Sequence, residues 1–230
     1  MFHRALVIAA ALSMPLCLLA QEETSSHPKL VAPLRPLFES LRSANVSGSL
    51  EFSSPRCDPG IPADWPNWRM LASSKESPLQ VARETFADDP SIQVTQDPNG
   101  TIRMIQGGIP TDLLNLRISH VSFSQFSANS AARQAVLRTP EVRDYMKAHN
   151  IAMPTGEGGG VTGGNGPRPN DSPPIDATME NPTVSQAMDR VLKTFPGIWV
   201  YQDCLRPDGK SRFVWFQFFS SRGPGFYIEE

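Results

Sequence analysis

The sequence lacks the groups from which most enzyme sites are built. It has no CxxC, no HxxxH or HExxH pair, no GxSxG elbow and no Walker loop. Its four histidines stand apart. Leaving His3 aside, His27 falls in a polar tail, His120 in a strand-like run and His149 at the end of a helical pattern, so each reads as a structural or surface residue. No metal and no cofactor is expected from this set. Charge is equally unspecialised, with 21 basic against 23 acidic residues and a formal net charge of -2. The basic residues are scattered, which removes the electrostatic footprint of a nucleic-acid binder. No basic amphipathic helix stands out to hold a membrane surface.

What is present begins with an export signal. Arg4 precedes an uncharged apolar run over residues 5–20 that contains Pro15. That run is short of the roughly 20 apolar residues a spanning helix needs. A cleavable signal ending at Ala20, just before Gln21-Glu22-Glu23, is the expectation, with no membrane span left after cleavage and a periplasmic or secreted product. Cys17 follows Met14-Pro15-Leu16, a poor lead-in for lipid attachment.

Three cysteines become two once residues 1–20 are removed. Cys57 and Cys204 then form an even pair in an oxidising compartment and are expected to be disulfide-bonded. Closing so long a loop contributes about 5 kcal/mol at most in the chain-entropy model.

Along the chain, residues 21–48 read as a mobile N-terminal segment. Residues 49–123 form the first half of an α+β domain, 124–153 a helical insert, 154–182 a disordered Gly/Pro-rich linker, and 183–230 the second half. The linker holds Gly156, Gly158, Gly159, Gly160, Gly163, Gly164 and Gly166, then Pro167, Pro169, Pro173 and Pro174. Such a stretch has few apolar side chains to offset the entropy of ordering. In the insert, residues 132–136 and a second run after Thr139-Pro140-Glu141 carry helical signals, the latter with Val142, Tyr145, Met146 and His149.

The two halves correspond at an offset of about 106 positions. Ser77-Pro78-Leu79-Gln80 and Thr183-Val184-Ser185-Gln186 each open a helix with a capping box. The second helix places Ala187, Met188, Val191, Leu192 and Phe195 on one face; the first offers Leu79, Ala82 and Phe86. A strand follows each, Ile92-Gln93-Val94-Thr95-Gln96-Asp97 in one and Ile198-Trp199-Val200-Tyr201-Gln202-Asp203 in the other. Turns at Pro98-Asn99-Gly100 and Pro207-Asp208-Gly209 lead to return strands over 101–106 and 211–219. With further strands over 49–53 and 114–123, the expected fold is α+β: a βαββ-type sheet with helices on one face and a duplicated helix-hairpin unit.

The order of these elements, with the helix Val184-Ser185-Gln186-Ala187-Met188-Asp189-Arg190-Val191-Leu192 followed by Gly197 and a strand from Ile198, resembles the short N-terminal domain of secretins and TonB-dependent receptors. In that family the first helix would correspond to residues 79–87. Here residues 124–181 intervene before the second helix, where the family joins it directly. The resemblance implies a periplasmic protein-contact module whose partner is another envelope or secreted protein.

One loop could recognise a ligand. Trp65 and Trp68 lie three residues apart in a proline-stiffened stretch with Asp58 and Asp64 beside them. Exposed, these indoles could stack on a sugar, and an acidic neighbour could support hydrolysis; buried, they would close one end of the core. Trp199, Tyr201 and Trp215, on the aromatic second hairpin, are further candidates for a binding surface.

Overall fold

The computed structural model describes residues 34–54, 68, 76–124, 131–153, 175–194 and 196–220. Strand β1 (Gly48–Ser53) lies at the centre of a six-stranded mixed sheet, parallel to β3 (Ile102–Gln106) on one side and to β7 (Gly197–Leu205) on the other. Outside β3 runs β2 (Ile92–Gln96), antiparallel. Outside β7 runs β8 (Arg212–Ser220), antiparallel, and then the two-residue β5 (Ile151–Ala152), parallel to β8. The sheet order is therefore β2-β3-β1-β7-β8-β5. A separate antiparallel ribbon joins β4 (His120–Ser124) to β6 (Asp176–Glu180).

The α+β class holds, but the helices occupy both faces of the sheet instead of the one expected. The cause is in β7 and β8, which are apolar in both directions and so need cover on both sides. On one face, Leu50, Phe52, Ile102, Met104, Ile198 and Val200 pack under α1 (Arg35–Ala44) and α2 (Pro78–Thr85). On the other, Trp199, Tyr201, Val214 and Phe218 meet α3 (Asp112–Asn115), a π-helix (Ala132–Val136), α4 (Pro140–Ala148) and α5 (Val184–Thr194).

Helix α1 falls inside the segment read as mobile. Leu34, Leu37, Phe38 and Leu41 recur at i, i+3, i+4 and i+7, and all four are buried. Pro36 sits in the first turn, and Asn45 closes the helix at φ 54° with its N–H on the Arg42 carbonyl. The helix crosses β1 so closely at Gly48 that a Cβ there would lie 3.2 Å from Leu41 Cδ1 and 3.3 Å from Met104 Cε.

Other boundaries also move. The strand expected over 114–123 is split: Leu114 is buried in the single turn of α3, and the strand begins only at His120. The stretch read as linker contributes a buried Ile175 and strand β6; its residues 154–174 lie outside the described set.

Both helix-hairpins form in the places expected. The capping box at α5 is complete, with Thr183 N–H donating to Gln186 Oε1 at 2.9 Å and Gln186 N–H to Thr183 Oγ1 at 3.1 Å. At α2 only half of it forms. Ser77 Oγ accepts from Gln80 N–H at 3.4 Å, while the Gln80 amide turns along the helix to Glu84 at 3.0 Å. Turns at Gly100 and Gly209 use positive φ of 86° and 65°. The two units are nevertheless placed differently. The first hairpin meets β1 through its return strand β3 and the second through its outgoing strand β7, and α2 and α5 lie on opposite faces.

If α1 is part of the core, Leu37→Ala should cost about 2–5 kcal/mol, the range for emptying a fully buried leucine site. Urea unfolding of the mature chain reads this directly, and an unchanged midpoint would leave α1 outside the cooperative unit.

Candidate functional site

Four of the five aromatic residues singled out for binding can be placed, and three of them are interior. Trp199 and Tyr201 are fully buried under α5. Trp68 is 5% exposed and sits edge-on to Phe52 and Phe86, with ring centroids 5.2 and 5.0 Å away. Its Nε1–H donates to Asp89 Oδ2 at 3.1 Å. An indole held this way closes the core below α2 and is not available to stack on a sugar. Trp65, Asp58, Asp64, Cys57 and His27 lie outside the described residues. Trp215 remains half-buried on β8 beside Phe213, at 4.2 Å between centroids.

The other single residues take structural parts. His120 is exposed on the ribbon and pairs with Glu180 across it, Nδ1 to Oε1 at 2.8 Å. His149 stacks on Tyr145 at 3.9 Å at the end of α4. Cys204 is 1% exposed beside Phe213 and is not a free thiol. Among the described residues no group of His, Cys, Asp and Glu is arranged to hold a metal ion, and no helix is long and apolar enough to cross a membrane.

Beneath α5 lies a polar cluster that local sequence patterns did not reveal. Arg103 on β3 reaches across the sheet face to Asp189 on α5 with a two-point grip, 2.9 Å and 2.5 Å, and also binds Asp97 at 2.9 Å and Ser49 Oγ at 3.3 Å. Trp199 Nε1–H donates to the same Asp189 carboxylate at 2.9 Å. Helix and sheet are thus fastened by a guanidinium whose forked geometry suits a carboxylate. Glu51 points to the same face of β1 and is 5% exposed. Burial pushes its carboxyl up to about 7, with Arg103 pulling the other way and Asp189 adding to the rise.

A second network ties β7 and β8 to α3. Arg212 binds Asp203 through Nε at 3.1 Å and through NH2 at 2.5 Å, and reaches Asp112 at 2.7 Å. Tyr201 Oη–H donates to Asp203 at 2.8 Å, and Tyr145 Oη–H to Asp112 at 2.6 Å. Burial works to raise Asp112, but the bonds from Arg212 and Tyr145 outweigh it and hold its carboxyl below the usual range. These charges are mutually satisfied, so the network reads as a fastening.

Among the described residues, the outer edge of β8 has no strand beside it past β5. Among the same residues, β5 covers it at Arg212 and Phe213, a register in which the Val214 N–H donates to the Ala152 carbonyl. Arg212 N–H donates outward to the Asn150 carbonyl at 3.0 Å. Because backbone direction alternates along a strand, the N–H and C=O of Val214, Phe216, Phe218 and Ser220 face the same way. In a parallel ladder of this register, residue 154 would donate next, to the Val214 carbonyl, and residue 154 is proline, which has no N–H. No described strand pairs with that edge beyond Phe213. It carries no charge from Phe213 to Phe219, and none of the lysines or prolines that commonly guard an edge. On the α1 side of the sheet at this end, Gln217 Oε1 and Gln202 Nε2 are buried without a hydrogen-bond partner.

No family model, curated protein or solved structure matches this chain.

The Glu51 carboxyl gives the fold a definite pH dependence. Its folded value lies above the ordinary 4.5, so the folded state holds the proton more tightly than the unfolded one. Stability is then highest below about pH 4.5 as far as this group is concerned, and falls as pH rises to about 7. The loss by pH 8 should be on the order of 3 kcal/mol. Glu51→Gln, which cannot ionise, should remove most of that slope; urea titrations of both proteins at pH 5 and pH 8 that fall in parallel would exclude Glu51 as its source.

Proposed function

We propose that this chain is an exported protein-interaction module of the cell envelope whose activity is binding, and that it takes up an extended strand of another polypeptide along the outer edge of β8. The observation that carries the reading is a nine-residue strand that, among the described residues, is covered only at its start, by β5 at Arg212 and Phe213 and through the Val214 N–H. Strand addition to such an edge gains affinity from main-chain hydrogen bonds. The half-buried Trp215 beside it would give selectivity. The partner is another envelope or secreted protein chain, as the resemblance to the secretin and TonB-type periplasmic domain would imply. The apolar run over residues 5–20 supports export.

A disulfide between Cys57 and Cys204 belongs to the same proposal. The register of β1 against β7 sets Ser53 beside Asp203, and Ser54 N–H donates to the Asp203 carbonyl at 2.8 Å. Cys57 is three residues beyond Ser54 and Cys204 next to Asp203 in sequence, so the length of chain allows the two sulfurs to meet.

The edge is tested with two substitutions at one position. Phe216 N–H faces outward, so Phe216→Pro removes a main-chain donor from the edge without touching the β7 ladder. Phe216→Ala removes the ring and keeps the donor. A tagged mature chain expressed in its native envelope should recover its strand partner with wild type and with Phe216→Ala. Recovery with Phe216→Pro should fall about ten-fold or more, as expected for an unmet polar group. Equal recovery by the alanine and proline variants would exclude strand addition. Thiol labelling of exported protein should find Cys57 and Cys204 blocked until reduced; labelling of either without reductant would remove the proposed bridge.

A further inference from the structure

We infer that Glu51 is a proton-operated latch on α5: uncharged, it lets Arg103 tie the helix to the sheet through Asp189, and on ionising it breaks that tie and leaves the Trp199 indole without its acceptor.

The cause is the number of charges around one guanidinium. Arg103 on β3 binds Asp97 at 2.9 Å and holds Asp189 of α5 at two points, 2.9 and 2.5 Å. One cation therefore already serves two carboxylates. Glu51 brings a third. It stands on the same face of β1, two residues beyond Ser49, whose register partner is Arg103 and whose hydroxyl accepts from that guanidinium at 3.3 Å. Among the described residues none donates a hydrogen bond to the Glu51 carboxyl, and the residue is 5% exposed. Its charged form thus has little water and no bonded partner, so burial keeps the proton on it up to about pH 7.

The other charges around Glu51 supply no spare cation. Its register partners are Ile105 and Tyr201. Tyr201 carries its hydroxyl to Asp203, and the Arg212 bound there is shared with Asp112 of α3. On α5, Arg190 turns to Thr194 at 3.3 Å.

When Glu51 ionises, three carboxylates converge on Arg103 in a dry place, and the one least held gives way. Glu51 is fixed by β1, which is laddered on both sides. Asp97 is fixed by its turn, where Oδ1 accepts the Asn99 and Thr101 N–H groups, both at 2.9 Å. Among the described residues, the Asp189 carboxylate is held by Arg103 and by the Trp199 Nε1–H at 2.9 Å. It therefore withdraws, and the middle of α5 loosens from the sheet. Trp199, fully buried beneath the helix, senses the change directly.

Indole N–H spectra of isotope-labelled mature chain test the latch. The Trp199 signal, identified as the one missing from Trp199→Phe, should move between pH 5 and pH 8 with a midpoint at about 7. Its exchange relative to the Leu50 and Val200 amides of the same molecule should rise about ten-fold over that range, as for a local opening that leaves the core closed. In Glu51→Gln, which stays uncharged, both readings should remain at their pH 5 values. Asp189→Asn should flatten them as well, because it removes the repelled charge and keeps an acceptor for the indole. A wild-type signal that does not move, or that moves while the exchange ratio stays constant, would overturn the latch. Equal titration in wild type and in either variant would overturn it too, by assigning the change to another group.

Discussion

The rest of this fold depends on the need to bury both faces of two adjacent strands, β7 and β8. β7 carries Ile198 and Val200 on one face and Trp199 and Tyr201 on the other, and β8 is apolar in both directions as well. At roughly 25 cal/mol per Å², no arrangement that leaves one face wet could compete. That requirement recruits α1 and α2 above the sheet and α3, the π-helix, α4 and α5 below it. It also explains why the second helix-hairpin departs from the placement of the first. Once α2 has covered one face, α5 is of use only on the other.

A sheet covered on both sides must still admit its polar groups, and the two guanidinium networks show how. Arg103 and Arg212 each collect carboxylates from elements far apart in sequence, and each also engages a buried aromatic residue, Trp199 through the shared Asp189 and Tyr201 directly. Such pairs contribute little net stability when compared with apolar replacements, but breaking one partner is costly. Their service is orientation, since they fix α5 over β3 and β8 beside β7. Glu51 is the exception, a carboxyl placed where ionising is unfavourable.

Much of the α+β plan was legible where the signal is local. The Thr183/Gln186 box, the apolar face of α5, the two hairpins and the Val142/Met146 face of α4 all depend on residues within one or two turns of each other. What stayed hidden has two kinds of cause. For α1 the signal was present, in the spacing of Leu34, Leu37, Phe38 and Leu41, but its position next to a polar tail masked it. β6 has no such excuse: Asp176–Glu180 is largely polar and half exposed, and only its pairing with β4 makes it a strand. The candidate site failed for the second reason. Trp199, Tyr201 and Trp68 look alike as surface or core until their neighbours are known, and Arg103 finds Asp189 from 86 residues away. The edge of β8 left without a described strand past β5 is likewise a property of what stands next to it, which no window of sequence contains.

The position of β1 between β3 and β7 has a consequence for a chain that meets proteases. Residues up to 153 supply β1, β2 and β3, whereas residues from 175 supply β7 and β8, so the sheet is woven from two stretches of polypeptide. A nick between positions 153 and 175 would leave two fragments joined by the β1–β7 ladder and by both apolar faces. Cleavage there would separate the peptide bonds without separating the molecule, and two fragments made apart would have a ready template for reassembly in each other.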